Sequence, residues 1–460
     1  MSSQASLKPF WWSWVMSDWY EVSLGDISTQ RKGINYKSED YSDQYSGKPF
    51  ITIKCFVKGG GYDPTGIKYY NGFFTKLDCL EQNDILFSVT DLTRAGDIVG
   101  SPLKVPDFGD GNLAIASMDC MKIAPNPSMC DQEFLYHRLM LSDIRRQMVA
   151  YSAGSTVLHL DTKKVPVMRI RIPVEINEQR AIANVLDTID QTIEKTESLI
   201  DKYQQIKAGL MHDLFTRGLT SDGKLRPPRE QAPELYQETP IGWIPKEWGG
   251  TTLKEKSFPG CQHLRTGPFG SALKGEHWVE DGHPVITIGS LGEGKFMSSE
   301  LLYIGDFDAK RLSVFKLKLG DVVFSRVADV GRSVVIKENQ VGWIMSSNLM
   351  RISLDRKKVL PEFLQYQLSS DSRIKIQIRQ KVNSGGREVA NSDILNSLIF
   401  PWPTFEEQRA MVERASAVDA RLQKEQKRMG KLEKQKAGLM CDLLTGKVPV
   451  TIDQVETTHV

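Results

Sequence analysis

Residues that could do covalent chemistry are present, but never in a working arrangement. Gly289-Ser290-Leu291-Gly292-Glu293-Gly294-Lys295 has the spacing of a phosphate-cradling loop. Phe296, however, stands where a Ser or Thr would have to coordinate magnesium, and no helical pattern follows. Asp281, Glu293 and Lys295 loosely resemble a nuclease trio, a combination that solvated loops also produce by chance. His137, His159, His212, His263, His277, His283 and His459 are scattered, with no Ser or Cys nucleophile motif beside any of them. The six cysteines form no C-x-x-C pair and no short Cys/His ligand pattern, so no zinc site is expected. Neither an Asn-Pro-Pro-aromatic motif nor a Gly-rich cofactor loop of a base methyltransferase occurs. The expectation is a chain with no catalytic centre and no metal of its own.

Basic residues interleaved with glycine and aromatics suggest binding instead. Residues 265–274, Arg-Thr-Gly-Pro-Phe-Gly-Ser-Ala-Leu-Lys, place backbone amides, a hydroxyl and two cations on one exposed loop. The candidates there are Arg265, Thr266, Phe269, Ser271 and Lys274. Residues 383–387 offer a second such loop with Ser384 and Arg387, and Arg326 and Arg332 flank a turn after a strand. Arginine can bridge a guanine edge with two hydrogen bonds, while Lys or Ser can hold phosphates, so this inventory suits groove reading. In the N-terminal half the candidates are Arg31, Lys32, Lys54, Lys58 and Arg94, with Lys68 and Lys104 nearby in sequence. Any one of these is also an ordinary surface charge.

The elements that must position these residues come in two copies. Glu178-Gln179-Arg180-Ala181 returns as Glu407-Gln408-Arg409-Ala410, and Lys207-Ala208-Gly209-Leu210-Met211 as Lys436-Ala437-Gly438-Leu439-Met440, both 229 residues later. Between 178–216 and 407–445, 15 of 39 positions are identical without a gap. Upstream, Pro-Phe-Ile-Thr-Ile at 49–53 matches Pro-Val-Ile-Thr-Ile at 284–288, and Ile-Leu-Phe-Ser at 85–88 matches Val-Val-Phe-Ser at 322–325. The offsets there are 235 and 237, so loop lengths have changed within a kept frame.

Each copy ends in a heptad seam. Ile182, Leu186, Ile189, Ile193, Thr196, Ile200, Tyr203, Lys207, Leu210 and Leu214 step alternately by four and three. The second copy gives Met411, Ala415, Val418, Leu422, Glu425, Met429, Leu432, Lys436, Leu439 and Leu443. Ile206 is an alternative to Lys207 in the first seam. Thr404 and Glu407 have capping-box spacing, and Gly218 follows the first helix where a stop is expected. Such helices are roughly 60 Å long, more than a small domain can cover. A pseudo-twofold between the copies would pair them antiparallel; periodicity alone also permits a parallel pair, two helices in separate cores, or a homodimeric coil.

Short β-branched and aromatic runs broken by Gly, Pro and Asn, together with helical spacing at 134–148 and 363–378, make the two heads α+β. The resulting plan is an N-terminal extension at 1–17, a first head at 18–172, a long helix at 173–217, a linker at 218–240, a second head at 241–402, a second helix at 403–446 and a tail at 447–460. The chain of 460 residues is 40% hydrophobic and 25% charged, which is globular composition. Lys plus Arg number 59 against 57 Asp plus Glu, so only local clustering of charge could favour a nucleic acid. No apolar run reaches membrane-spanning length, the Trp-rich opening at 10–15 is too short for a signal peptide, and a reducing cytoplasm fits best.

The repeated helix motifs, Gly-Trp-Ile-Pro-Lys-Glu-Trp at 242–248 and Thr-Gly-Pro-Phe-Gly-Ser-Ala-Leu-Lys at 266–274 together resemble the specificity subunits of type I restriction-modification systems. The resemblance covers nearly the whole chain after Asp18, although the first head lacks a clear counterpart of 266–274. It implies two tandem target-recognition domains that read the halves of a split, asymmetric site in double-stranded DNA. The two helices would pair as an antiparallel coiled coil that sets the gap between the half-sites. It also implies partners: two methyltransferase subunits using S-adenosylmethionine, and restriction subunits consuming ATP with Mg. Those cofactors would belong to the partners, leaving this chain a non-catalytic, cytoplasmic, DNA-binding subunit with no membrane role.

Overall fold

The computed structural model describes residues 18–93, 95–109, 113–292, 294–327, 330–383 and 389–450. The extension at 1–17 and most of the tail lie outside the described residues. The chain divides into two compact units, one holding residues up to Glu197 together with those from Arg428, the other Ser198–Lys427. Each unit therefore contains one complete head, the first part of that head's own long helix, and the last part of the other copy's helix.

In the first unit a four-stranded antiparallel sheet runs in the order Ser28–Lys32, Cys120–Pro125, Ile85–Ser88, Pro102–Lys104. The strand Ile85–Ser88 is buried along its whole length. Because strand side chains alternate between faces, an unbroken apolar run can serve two cores at once. Ile85 and Phe87 enter the core shared by Phe134, Ile170 and Leu186, whereas Leu86 enters another with Ile51, Leu103 and Cys120. A five-stranded sheet follows the order Tyr41–Ser42, Lys68–Tyr70, Lys48–Ile51, Ala114–Ala116, Cys79–Leu80, with one parallel pair between Lys48–Ile51 and Ala114–Ala116.

The second unit repeats the plan. Leu264–Thr266, Leu349–Ile352, Val322–Ser325 and Ser333–Val335 form the four-stranded sheet. Val322 and Phe324 face the core of Phe363 and Phe400, and Val323 faces the one with Ile286 and Ile336. Trp278–Val279, Leu302–Ile304, His283–Ile286 and Ile344–Met345 form the second sheet, again with one parallel pair. Both heads are α+β. The first head is closed by pairing its first strand with its last, Trp19–Ser23 with Arg169–Pro173, and the second by the equivalent pair, Gly249–Thr251 with Phe400–Trp402. The last strand then delivers the chain into a long helix, Ile176–Thr216 or Phe405–Leu443.

One buried glutamine fixes that exit in each copy. Gln179 accepts from the Asp131 amide at 2.8 Å and donates to the carbonyls of Met129 and Pro173 at 3.1 and 2.9 Å. Gln408 accepts from the Leu360 amide at 3.0 Å and donates to the carbonyls of Lys358 and Pro403 at 3.2 and 3.1 Å. Asp131 and Leu360 immediately precede the head helices Gln132–Met140 and Pro361–Ser370, so each glutamine ties a head helix to the long helix of the same copy.

The apolar stripes are divided between the units. Ile182 and Leu186 join the first unit's core together with Leu443, and Leu439 packs against it. Leu214 and Met411 join the second unit's core, with Leu210 packed against it. Ile189 is buried, and Ile193, Ile200, Val418, Leu422, Met429 and Leu432 are half-buried. Lys207, not Ile206, takes the seam position: Ile206 is 44% exposed, and the Lys207 ammonium lies 2.7 Å from Asp419. In the first unit Lys436 lies 2.6 Å from Asp190. The two bridges join the same pair of repeat positions with the copies exchanged.

Residues 218–240 have a linker's composition but are built into the second unit. Tyr236–Thr239 and Gly242–Pro245 form a hairpin, and Leu219 and Arg226 are buried. The reason is Glu407. Its amide is capped by Thr404 Oγ1 at 3.2 Å, as the capping-box spacing predicts, but its carboxylate turns away from the cap. It accepts from Arg226 Nη1 at 2.6 Å, the Leu219 amide at 2.7 Å and Trp248 Nε1 at 3.0 Å. Burial opposes the charge on Arg226, but Glu407 and Glu247 outweigh it and raise the guanidinium pKa above its ordinary value. Gly218, at φ +64°, makes the turn that brings this segment back, and any side chain there would collide with Trp248 and Glu407.

Three substitutions test these contacts. Glu407→Ala should destabilise the second unit by about 3–5 kcal/mol in urea denaturation, because it strands the buried Arg226. Glu247→Ala, at an exposed partner of the same arginine, should change stability by about 0–1 kcal/mol; equal effects would refute the assignment. Gln179→Ala, which leaves one amide and two carbonyls unsatisfied, should lower stability by about 1–3 kcal/mol, measured in the same way.

Candidate nucleic-acid interface

The loop at 265–274 leaves an edge strand. Among the described residues Leu264–Thr266 pairs only with Leu349–Ile352, and the Gly267 amide donates to the Leu349 carbonyl at 2.9 Å. A Cβ on Gly267 would lie 1.8 Å from the Ser346 carbonyl oxygen, so this crossing admits only glycine. Pro268 and Leu273 are buried, and between them Phe269, Gly270 and Ser271 face outward. Phe269 is 88% exposed. Arg311 braces the turn from below, donating to the Ala272 carbonyl at 2.8 Å. Lys274 is exposed, while Arg265 and Thr266 are half-buried, with Arg265 donating to Gln262 at 2.5 Å. The outcome is a pinned loop that presents a phenyl ring, a hydroxyl, a glycine and an ammonium.

The other sequence candidates are placed differently. Arg326 donates to the carbonyls of Ala390 and Ser347 at 3.0 and 3.3 Å, and burial lowers its pKa. Arg332 donates to the Leu291 carbonyl at 2.8 Å. Both guanidinium groups flank the expected turn but brace main chain, which leaves them less free for a base edge than the sequence suggests. Ser384 and Arg387 lie outside the described residues, as do Arg94 and Glu293. In the first head Lys54 is exposed on a short turn, Lys58 bridges Asp97 at 2.5 Å and Arg31 bridges Asp78 at 2.7 Å. Lys104 is drawn to Glu133 and Asp187 beside the long helix. Lys68 lies 4.0 Å over the Tyr41 ring.

Strand register finds in the first head what the sequence missed. Lys32 stands opposite Met121, which stands opposite Phe87; Thr266 stands opposite Met350, which stands opposite Phe324. Arg31-Lys32-Gly33 therefore occupies the place of Arg265-Thr266-Gly267. Gly33 repeats the tight crossing: its amide donates to the Cys120 carbonyl at 2.9 Å, and a Cβ would lie 2.2 Å from the Ser117 oxygen. The next shared element is a 3-10 turn, Ser38–Asp40 in one head and Gly275–His277 in the other. The connecting loop is three residues longer in the second head, which hides the match from an ungapped comparison. The Arg-x-Gly triplets at 31–33 and 265–267 were the available signal.

A family model described as the type I restriction modification DNA specificity domain matches residues 16–205 and 270–434, that is, both copies. The chain belongs to this family. As a type I specificity subunit it serves DNA sequence recognition. It is similar to the type I restriction enzyme MjaVIII specificity subunit of Methanocaldococcus jannaschii, with 24% identity over 95% of this chain and 94% of the relative. It is also similar to the EcoBI specificity subunit of Escherichia coli, with 23% identity over 88% of this chain and 80% of the relative. Among solved structures, the type I S subunit from M. genitalium superposes with a TM-score of 0.58 at 16% identity, covering 93% of this chain and 96% of that one. A chain from a study of complex assembly and conformational transition in the type I system gives a TM-score of 0.51 at 16% identity over 94% of this chain and 98% of that one. These likenesses show a shared fold. Among the described residues of this specificity subunit, no helix is long and apolar enough to cross a membrane.

A buried carboxylate of the first head, Asp91, yields a pH prediction. Asp91 is buried and accepts from the amides of Thr93, Ile98 and Val99 at 2.7, 2.5 and 3.0 Å. Burial opposes its ionisation, but the amides, with Ile98 foremost, outweigh it and hold the carboxyl below the usual range. A depressed folded pKa stabilises fully above the unfolded value near 3.9, and the contribution is lost as pH falls through the folded value. The stability difference between wild type and Asp91→Asn in urea denaturation should therefore shrink as pH falls below about 4. A difference independent of pH would refute this.

Proposed function

We propose that the two heads read the two halves of a split, asymmetric DNA target, and that the long helices, paired antiparallel, carry the docking surfaces for two methyltransferase subunits, which restriction subunits then join. The carrying observation is one sheet frame built twice with unlike loops at its edge: identical heads would favour a palindrome, unlike heads an asymmetric site. The reciprocal bridges Lys207–Asp419 and Lys436–Asp190 support the antiparallel pairing, because each joins an early position of one helix seam to a late position of the other. In this reading S-adenosylmethionine, ATP and Mg act on the partner subunits, and this chain supplies sequence recognition alone.

Mapping methylated bases in the DNA of cells that express the chain with its methyltransferase subunits tests this directly. The expected result is one motif made of two unlike half-sites separated by a fixed run of unspecified bases. A continuous or palindromic motif would overturn the reading. Lys274→Ala should weaken binding of that complex to all duplexes and make the salt dependence shallower by about one unit of log–log slope, without changing the motif.

A further inference from the structure

We propose that residues 33–37 form the sequence-reading loop of the first head, with Asn35 reading a base edge and Lys37 contacting phosphate. The proposal rests on the two-half reading above and adds which side chains of the first head do the reading.

The loop occupies the place of 267–274 by strand register and is held as firmly. Beyond the Gly33 crossing, the Ile34 amide donates to the Ala116 carbonyl at 2.9 Å. Tyr36 turns inward, its ring 5.1 Å from that of Phe50 and 5.4 Å from that of Tyr41, in edge-to-face contact with both. Ile34 and Tyr36 pack against the cluster of Phe50, Tyr70 and Ile115. With alternate residues anchored inward, Asn35 and Lys37 are left facing out, and both are exposed. Among the described residues, no hydrogen bond engages the Asn35 amide. The Lys37 side chain is 80% exposed, and its ion pair to Glu39 at 3.3 Å is itself in solvent.

That combination suits base reading. A carboxamide offers a donor and an acceptor side by side, the pattern that matches N7 and the amino group of adenine in the major groove. A backbone already fixed by buried neighbours loses little further freedom on binding. At the corresponding place the second head offers Phe269 and Ser271, so the outward chemistry of the two heads differs where their frames coincide.

The test uses the full chain, co-expressed with its methyltransferase subunits, as wild type, Asn35→Ala, Lys37→Ala and Ser271→Ala. Methylated sites are mapped in cellular DNA, and binding is measured to a duplex carrying the wild-type motif. Asn35→Ala should make one position of one half-site degenerate, with discrimination there falling about tenfold or more, and leave the other half-site unchanged. Ser271→Ala should leave the half-site altered by Asn35→Ala intact. Lys37→Ala should keep the motif but make the salt dependence shallower by about one unit of slope. If Asn35→Ala methylates the wild-type motif with unchanged preference and Lys37→Ala keeps the wild-type slope, the loop assignment is overturned and the two-half reading stands. If the wild-type motif is not split, the two-half reading fails, and whether Asn35→Ala alters any position of that motif still decides the loop.

Discussion

A helix of about forty residues with one apolar stripe cannot be satisfied by a head of this size. In this chain the two ends of each stripe are covered in different units. The early part of each long helix packs into its own head's core, and the late part into the core of the other unit, so that Leu443 and Leu186 belong to one core and Leu214 and Met411 to the other. Neither unit is complete without chain from both copies. The charged members of the stripe follow the same logic: Lys207 and Lys436 each find an aspartate in the other copy.

The joints between head and helix are conserved in geometry but not always in chemistry. Gln179 and Gln408 make the same three bonds in both copies. Nearby, His137 meets Asp187 at 2.9 Å in the first copy, whereas Tyr366, at the equivalent place on its head helix, meets Asp419 at 2.7 Å in the second. The Tyr366 pKa is raised, first by burial and then by that carboxylate, so Tyr366 is held as a neutral donor. A duplicated frame can thus exchange one buried polar contact for another, an imidazole on Asp187 for a phenol on Asp419. The loops at the sheet edge are freer still, because they answer only to the glycine crossing and two inward-facing anchors. On the proposed reading of these loops, recognition can then diverge without disturbing the fold.

Much of this was written in the order of residues. The repeat offset, the four-and-three spacing of the seams and the α+β character of the heads follow from local periodicity, which a chain carries wherever it folds. Arg265, Phe269 and Lys274 became candidates for the same reason: cations, glycine and an aromatic crowd one short segment. Three-dimensional pairing decided the rest. That Lys207 and not Ile206 enters the seam depends on an aspartate more than two hundred residues away. That 218–240 is packed rather than loose depends on a buried carboxylate at Glu407. That Arg326 and Arg332 brace main chain depends on which carbonyls happen to surround them. The place of residues 33–37 emerged only from strand register, since a three-residue change in loop length erased the alignment while the hydrogen-bonded ladder preserved it. Sequence specifies what each segment prefers within its own neighbourhood; contacts between distant segments determine which of those preferences is used.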